Sequence, residues 1–433
     1  MRARRPQLTD PRGIALPLAL MVLMLLSTLA FALLSMSSFE PLISKNLVTA
    51  EQARFVAEAG IEWAFNSLAA SLDWDAFLAG ADPLRGAVLI AEAPIPGQPA
   101  SEGTYTVWVR NDSLTADRLL TGEPRDEGGP TDDTNRVVIV TSAGRVGSAS
   151  RVLQVVLRRI ELPPIPAALA FSGNTAPVAL SGSAEIDGTD GTPDGTAGSC
   201  APVFGISVSS VLPASAPGTN EAVVEGALAG PPAATIKGKK QDPARSAFGA
   251  NTIASDATLT SPGVQSFVSA ARNADIVLEG REPGGLSFAD IGALCASNWS
   301  SSACWGTRDR PKVVSLKGNP DSSPSAPTFQ ISGNTKGHGI LIVEDGELRI
   351  SGDFLWHGLI IVTGNRGALG LLGGGNQTVY GAIIFNAASS DAGAGRVVLS
   401  GDARLRYSCQ ALDQARRARK LVTMRSWREV AVE

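Results

Sequence analysis

Residues Ile14 to Met36 contain no charged side chain, and this run of 23 residues constrains the chain more than any other feature. A helix rises about 1.5 Å per residue, so the run reaches roughly 34 Å, enough to cross a hydrocarbon core about 30 Å thick. Arg2, Arg4, Arg5 and Arg12 precede it, and Glu40 is the first charge after it. Positive charge on the N-terminal flank predicts a single membrane pass, with the N-terminus cytoplasmic and everything after Met36 outside. A secretory signal would close its apolar core with a small-residue cleavage site. Here Ser27 to Ser38 runs on through Phe31, Leu33 and Leu34 into more helix-forming sequence, which predicts a retained span.

The helical pattern continues well past the span. Ala50, Ala53, Ala57, Ile61, Ala64 and Leu68 recur at three- and four-residue steps, one face of mostly small side chains, while Glu51, Arg54, Glu58 and Glu62 occupy other faces. Small residues permit close approach of a helix to whatever packs on it.

Arg12 to Leu16 (RGIAL), the apolar run and Phe55 to Trp63 (FVAEAGIEW) together resemble the N-terminal region of the type IV pilus assembly proteins called PilX, and more loosely the minor pseudopilin GspK. The resemblance covers about the first seventy residues. It implies that a prepilin peptidase cuts between Gly13 and Ile14, that the leader 1–13 is removed and that the new amine is methylated. It also implies that residues 14–72 form a transmembrane and amphipathic helix. Its expected partners are other pilins and minor pilins, the pilus assembly machinery, the peptidase and the inner membrane, with the cell surface as destination if the chain enters a pilus. Pro17 would then fall in the first helical turn, where its missing N–H has no intrahelical acceptor to lose. Most major pilins carry a glutamate five residues after the cut, and this chain has Leu18 there. An unpaired charge in an apolar filament core is costly, so a subunit without that glutamate suits a tip or initiating position better than a shaft.

With 433 residues, 44% hydrophobic composition and a net charge of −4, the chain is long enough for two domains beyond the membrane helix, and its charge argues against nucleic acid as the primary partner. Four cysteines would lie in an oxidising compartment. Cys295 and Cys304 are close enough in sequence to suggest a loop-closing disulfide, and Cys200 with Cys409 follows by elimination, although four cysteines allow three pairings. Zinc is disfavoured by two histidines and no CxxC pair.

Residues 73–162 read as a small antiparallel, pilin-like β region. Thr104 to Arg110 alternates, Arg136 to Ser142 is an apolar run and Ser150 to Arg158 is the longest strand candidate, with the acidic, Gly-rich loop Gly122 to Thr134 between the first two. Pro163, Pro164 and Pro166 mark a linker. From 167 to 433 the grammar changes. His338 to Val343 (HGILIV) and His357 to Val362 (HGLIIV) are near-copies offset by 19 residues, and Tyr380 to Phe385 (YGAIIF) is a third. Short β-branched strands separated by Gly, Asn and Asp at a period near twenty predict stacked coils, with Leu359 to Val362 lying over Ile340 to Val343. The expected fold is therefore α+β: a long N-terminal helix, a small antiparallel sheet, and a mainly β head built as a right-handed parallel β-helix. That head carries an insertion at about 203–325, in which Thr260 to Arg281 and Ser287 to Asn298 read as helices. A β-sandwich is the competing architecture.

No Walker A, HExxH or nucleophile-elbow sequence is present, so no enzyme activity is expected. His338 and His357 would stack in adjacent coils, a polar ladder more readily than a metal site. Asp187, Asp190 and Asp194 lie in a loop where calcium is conceivable, but Asp-Gly turns explain them better. No cofactor is expected. Two basic clusters, Lys237 with Lys239 and Lys240, and Arg416 with Arg417, Arg419 and Lys420, read as solvated faces. The function expected is that of a non-catalytic minor pilin-like subunit acting in assembly and presenting a large β-rich head. The alternatives are a type II secretion pseudopilin and a membrane-anchored protein acting on or binding surface polysaccharide.

Overall fold

The computed structural model describes residues 15–173, 178–209, 224, 236–239, 253–280, 286–318, 329–372, 374–387 and 396–431. Gly13, Ile14 and Lys240 lie outside the described residues.

One helix, α1 (Ala15–Ala70), continues for 56 residues, roughly 84 Å. Pro41 lies inside it and removes a single i→i−4 hydrogen bond without ending it. Its first part, Ala15–Ser35, has a mean hydropathy of 2.5 and is long and apolar enough to cross a membrane. Its last five turns bury Ala53, Ala57, Ile61, Ala64 and Leu68 against a sheet formed by β1 (Ala87–Pro94), β2 (Thr104–Asn111), β3 (Val137–Val146) and β4 (Ala149–Arg159). The alanines let the helix sit on the backbone of β3: a Cβ added at Gly144 would lie 2.2 Å from the carbonyl oxygen of Ala53. Val107, Val109, Val138, Val140, Leu153, Val155 and Leu157 complete this core.

Beyond the prolines the strands become parallel. β5 (Asn334–Glu344), β6 (Asp353–Gly364) and β7 (Gln377–Ala387) lie side by side in an 11-stranded sheet. Their register follows the sequence repeat: Ile340 to Val343 pair with Leu359 to Val362, which pair with Ala382 to Phe385. The shorter strands between them, Phe329–Ser332, Glu347–Ile350, Ala368–Leu371 and Val397–Leu399, pair with one another in a second, 6-stranded parallel sheet. The chain thus alternates between two parallel sheets. Leu341, Val343, Ile360, Val362, Ile383 and Phe385 point between them, together with Leu348, Leu369 and Leu371 from the smaller sheet. On the outer face Ile340, Ile342, Leu359, Ile361, Ala382 and Ile384 are covered by α2 (Ser261–Ala270) and α3 (Cys409–Arg416), through Val264, Phe267, Val268, Leu412 and Ala415.

Each long strand bends at a glycine. Gly339, Gly358 and Gly381 are paired neighbours with φ of 127°, 134° and 134°. A Cβ on Gly358 would meet the Gly339 carbonyl oxygen at 2.0 Å, so this row admits no side chain.

Three sequence expectations are corrected. Residues 422–430 were expected in the head, but β8 (Val422–Val430) pairs antiparallel with β4 and completes the order β1-β2-β3-β4-β8. The parallel sheets are therefore inserted between two neighbouring strands of the antiparallel one. Within the expected insertion at 203–325, Phe204–Ser209, Ile253–Asp256, Ile276–Glu279 and Lys312–Lys317 belong to the larger parallel sheet. Of the two helices expected there, Thr260 to Arg281 is helical, among the described residues, only over Ser261–Ala270, capped by the Thr260 hydroxyl accepting from the Gly263 N–H at 3.2 Å, and its later part holds the strand Ile276–Glu279. Ser287 to Asn298 does not: Leu286–Ala289 is a strand paired with Phe329–Ser332, with Phe288 packed edge-on against Trp305. Pairing with Phe329–Ser332 and aromatic packing on Trp305 outweigh helical propensity there.

Candidate functional site

The two halves of α1 present different surfaces. From Leu16 to Leu34 apolar side chains are exposed all round, Leu18 among them at 60%. Met36, the end of the expected span, falls within the same unbroken helix. Farther along, Ile43, Leu47 and Phe55 stay 66%, 62% and 63% exposed on faces turned from the sheet. Their spacing extends the apolar surface beyond the span. Arg54 on the same part of the helix pairs with Glu58 at 3.2 Å and lies over the Trp427 ring of β8 at 5.3 Å.

Where α1 ends, one guanidinium ties three parts of the molecule together. Arg159, at the end of β4, donates to the carbonyl oxygens of Leu68 and Ser71 and, at 2.9 Å, to that of Arg416. It thereby satisfies orphan carbonyls at the C-terminal ends of both α1 and α3. The ring of Trp74 lies 5.0 Å from it, with the indole N–H donating to Leu68 at 2.9 Å. Burial pushes this guanidinium down to about 10, still charged at neutral pH. The basic cluster near the C-terminus also lands here, with Arg419 paired to Glu62 of α1.

Cys200 is bonded to Cys409, and Cys295 to Cys304. Asp190 holds the first of these in place, accepting the Cys200 N–H at 2.8 Å and the Cys409 N–H at 2.9 Å. Asp190, Cys200 and Cys409 have metal-ligand spacing, but the two sulfurs are bonded to each other and not available as thiolates. Asp187 closes an Asx turn onto Thr189, and Asp194 is exposed. The three aspartates named from sequence do not converge on one point. His338 and His357 do stack, with ring centroids 4.4 Å apart and Tyr380 next in the row at 5.5 Å from His357. Burial lowers both imidazoles, His357 to about 4 with His338 adding to the shift, so the pair is neutral at pH 7.

Sequence reading missed the interior of the Gly122 to Thr134 loop. Asp112, Asp117, Asp126 and Asp133 are all buried. Arg110 grips Asp117 through two hydrogen bonds of 2.7 and 2.6 Å. Burial works to raise Asp126, yet N–H groups of Gly128, Thr134 and Asn135 and the Thr134 hydroxyl hold it below the usual carboxylate range. Asp112 and Asp133 lack such a set, and burial pushes them up to about 6 and about 7. The Asp-rich composition was visible in the sequence; that these side chains turn inward to tie β2 to β3 was not.

No family model matches this chain, and no curated protein matches it. Among solved structures it is similar to the competence-associated pilin ComZ from Thermus thermophilus, with 12% identity and a TM-score of 0.21 over 88% of this chain and 97% of that one. A likeness at that level leaves fold and function to be argued from the strands and side chains themselves.

Proposed function

We propose that this chain is a non-catalytic minor pilin-like subunit of the PilX kind, processed between Gly13 and Ile14 and working at the tip of a type IV pilus or in its initiation. The observation that carries the reading is α1: one continuous helix, apolar all round over Ala15–Ser35 and then seated by small residues on an antiparallel sheet. Such a helix can leave a bilayer and enter a bundle of like helices without refolding, because its exposed apolar surface is covered by lipid in one state and by neighbouring helices in the other. Ile43, Leu47 and Phe55 extend that surface toward the head. In this reading the N-terminus is cytoplasmic, the remainder periplasmic, and the partners are other pilins and the assembly machinery.

The parallel body is read as a β-helix whose coils alternate between the two sheets. Its insertion between β4 and β8 supports a tip position, because a body of this size beside the helix would crowd neighbours in a close-packed shaft. Leu18 in place of a charged residue fits the same position.

Intact-mass and N-terminal peptide analysis of the protein from its native membrane, with and without the prepilin peptidase, tests the proposal. A peptidase-dependent N-terminus at Ile14 is expected. Retention of residues 1–13 would sink it, and co-purification with secretion rather than pilus components would move the assignment to a pseudopilus.

A further inference from the structure

A groove of about 980 Å³ lies between the end of α1 and the parallel body. Arg308 and Arg310 reach it from one stretch of chain, Arg417 and Arg419 from another a hundred residues away. Arg419 is engaged by Glu62, whereas among the described residues no carboxylate comes within ion-pair distance of Arg308, Arg310 or Arg417. Of the four acids in the same walls three are occupied, while Asp309, exposed between Arg308 and Arg310 in the chain, has no hydrogen bond or ion pair among the described residues. Asp190 accepts two backbone N–H groups, Asp275 accepts the Val313 N–H at 2.9 Å, and Asp413 pairs with Arg416 at 2.8 Å. Three guanidinium groups, exposed and planar, thus stand unpaired against the single free carboxylate of Asp309, and their geometry matches carboxylates in bidentate fashion. Trp299 also lines the groove, but its ring already carries the Lys312 ammonium at 4.2 Å and the Arg310 guanidinium at 5.7 Å.

We propose that this groove binds a strand of acidic polysaccharide, with Arg308, Arg310 and Arg417 taking its uronate carboxylates. A groove near the upper end of the usual small-ligand range, about 300–1,000 Å³, holds a short oligosaccharide and is too small for a duplex. Single-stranded nucleic acid binds by stacking bases on free aromatic faces, and here cations occupy the tryptophan. The inference goes beyond assembly and does not require that the chain enter a filament.

The test uses the full chain in detergent micelles, titrated with hexagalacturonate, with its fully methyl-esterified form and with a short oligothymidylate. Expected are tighter binding of the charged hexamer than of the ester by about tenfold or more, and weakening as salt is added. The triple variant Arg308→Gln, Arg310→Gln, Arg417→Gln should lose about tenfold or more in affinity, each single variant less, while Arg425→Gln with Arg428→Gln on β8 leaves binding unchanged. Thermal unfolding checks that every variant is folded, and the single variants carry the test if the triple is not. Equal affinity for hexamer and ester, equal loss in the β8 variant, no binding at all, or tighter binding of the oligothymidylate would each overturn the proposal.

Discussion

The antiparallel sheet β1–β4 with β8 buries its main face under α1 and only a small cluster, Val137, Ile139 and Val156, on the other. The larger parallel sheet is buried on both faces, inward on the smaller sheet and outward on α2 and α3. That difference is written into the strands. Tyr105, Val107 and Val109 alternate with more exposed neighbours along β2, whereas Ile340 to Val343, Leu359 to Val362 and Ala382 to Phe385 are unbroken apolar runs. A strand in water on one side needs period two; a strand covered on both sides needs apolar residues throughout. The two bodies therefore tolerate change differently, and the parallel one depends on its backbone row of glycines.

Breaking that row should give the largest effect. In Gly358→Val a β-branched side chain would have to occupy a φ of 134° with its Cβ 2.0 Å from the Gly339 carbonyl oxygen. Backbone strain and overpacking together predict a loss of more than about 4 kcal/mol. Hydrogen exchange should show the loss in β5 to β7 while the amides of β2 to β4 stay protected; uniform loss across both bodies would mean that they fold as one unit. The disulfides give the next contrast. Replacing Cys200 and Cys409 by Ser releases a link across 209 residues, and replacing Cys295 and Cys304 releases one across 9. On the chain-entropy account the first should cost about 3 kcal/mol more than the second, read as midpoints in denaturant titrations. Equal losses would show that local packing around Asp190, not loop closure, holds the first.

Arg159 joins the two bodies, and Arg159→Met tests whether they move independently. The substitution keeps much of the side-chain bulk but leaves the carbonyls of Ser71 and Arg416 without this donor, and that of Leu68 with the Trp74 indole N–H alone. A loss of about 2–3 kcal/mol is expected. Calorimetry should split the unfolding transition in two, since the antiparallel body and the parallel body then no longer share this clamp.

How much of this could be read in the sequence follows the same division. The parallel register was legible because the repeat from His338 to Phe385 carries its glycines and apolar runs in step. The strands β2, β3 and β4 were legible from alternation and β-branching, and both disulfide pairings appear as preferred. β1 was missed: its Ala- and Pro-containing sequence lacks that pattern, and two register shifts interrupt its pairing with β2. β8 was missed for a topological reason, because nothing within Val422 to Val430 records that its partner lies some 270 residues earlier. The junction groove is likewise a product of tertiary structure: Arg308 and Arg417 have no common sequence signal, and only the return of the chain through α3 to β8 brings them together.

The smallest effect has the opposite sign and belongs to the antiparallel body. Burial holds Asp133 up at about 7 against an ordinary value of 3.8, so the folded chain binds this proton more tightly than the unfolded chain does. Between about pH 4 and 7 the folded state carries the extra proton, and its stability falls as pH rises through that window; above 7 the cost of a buried carboxylate is fully present. Asp133→Asn removes that charge while keeping an oxygen able to accept the Val137 N–H. The variant should be more stable than the native chain at pH 8 by about 2 kcal/mol, and little different at pH 4, where both side chains are neutral. Thermal melts across that range should show the variant gaining on the native chain as pH rises. The parallel body supplies the contrast: burial holds the His357 imidazole at about 4 against an ordinary 6.5, so the unfolded chain binds that proton more tightly and His357 contributes a stability that rises with pH between about 4 and 6.5. A His357→Gln variant should remove that rise, the opposite change of slope to Asp133→Asn. If instead Asp133→Asn destabilises equally at both pH values, the carboxylate is charged in the folded state, held by Arg136 and the Val137 N–H, and burial does not govern it.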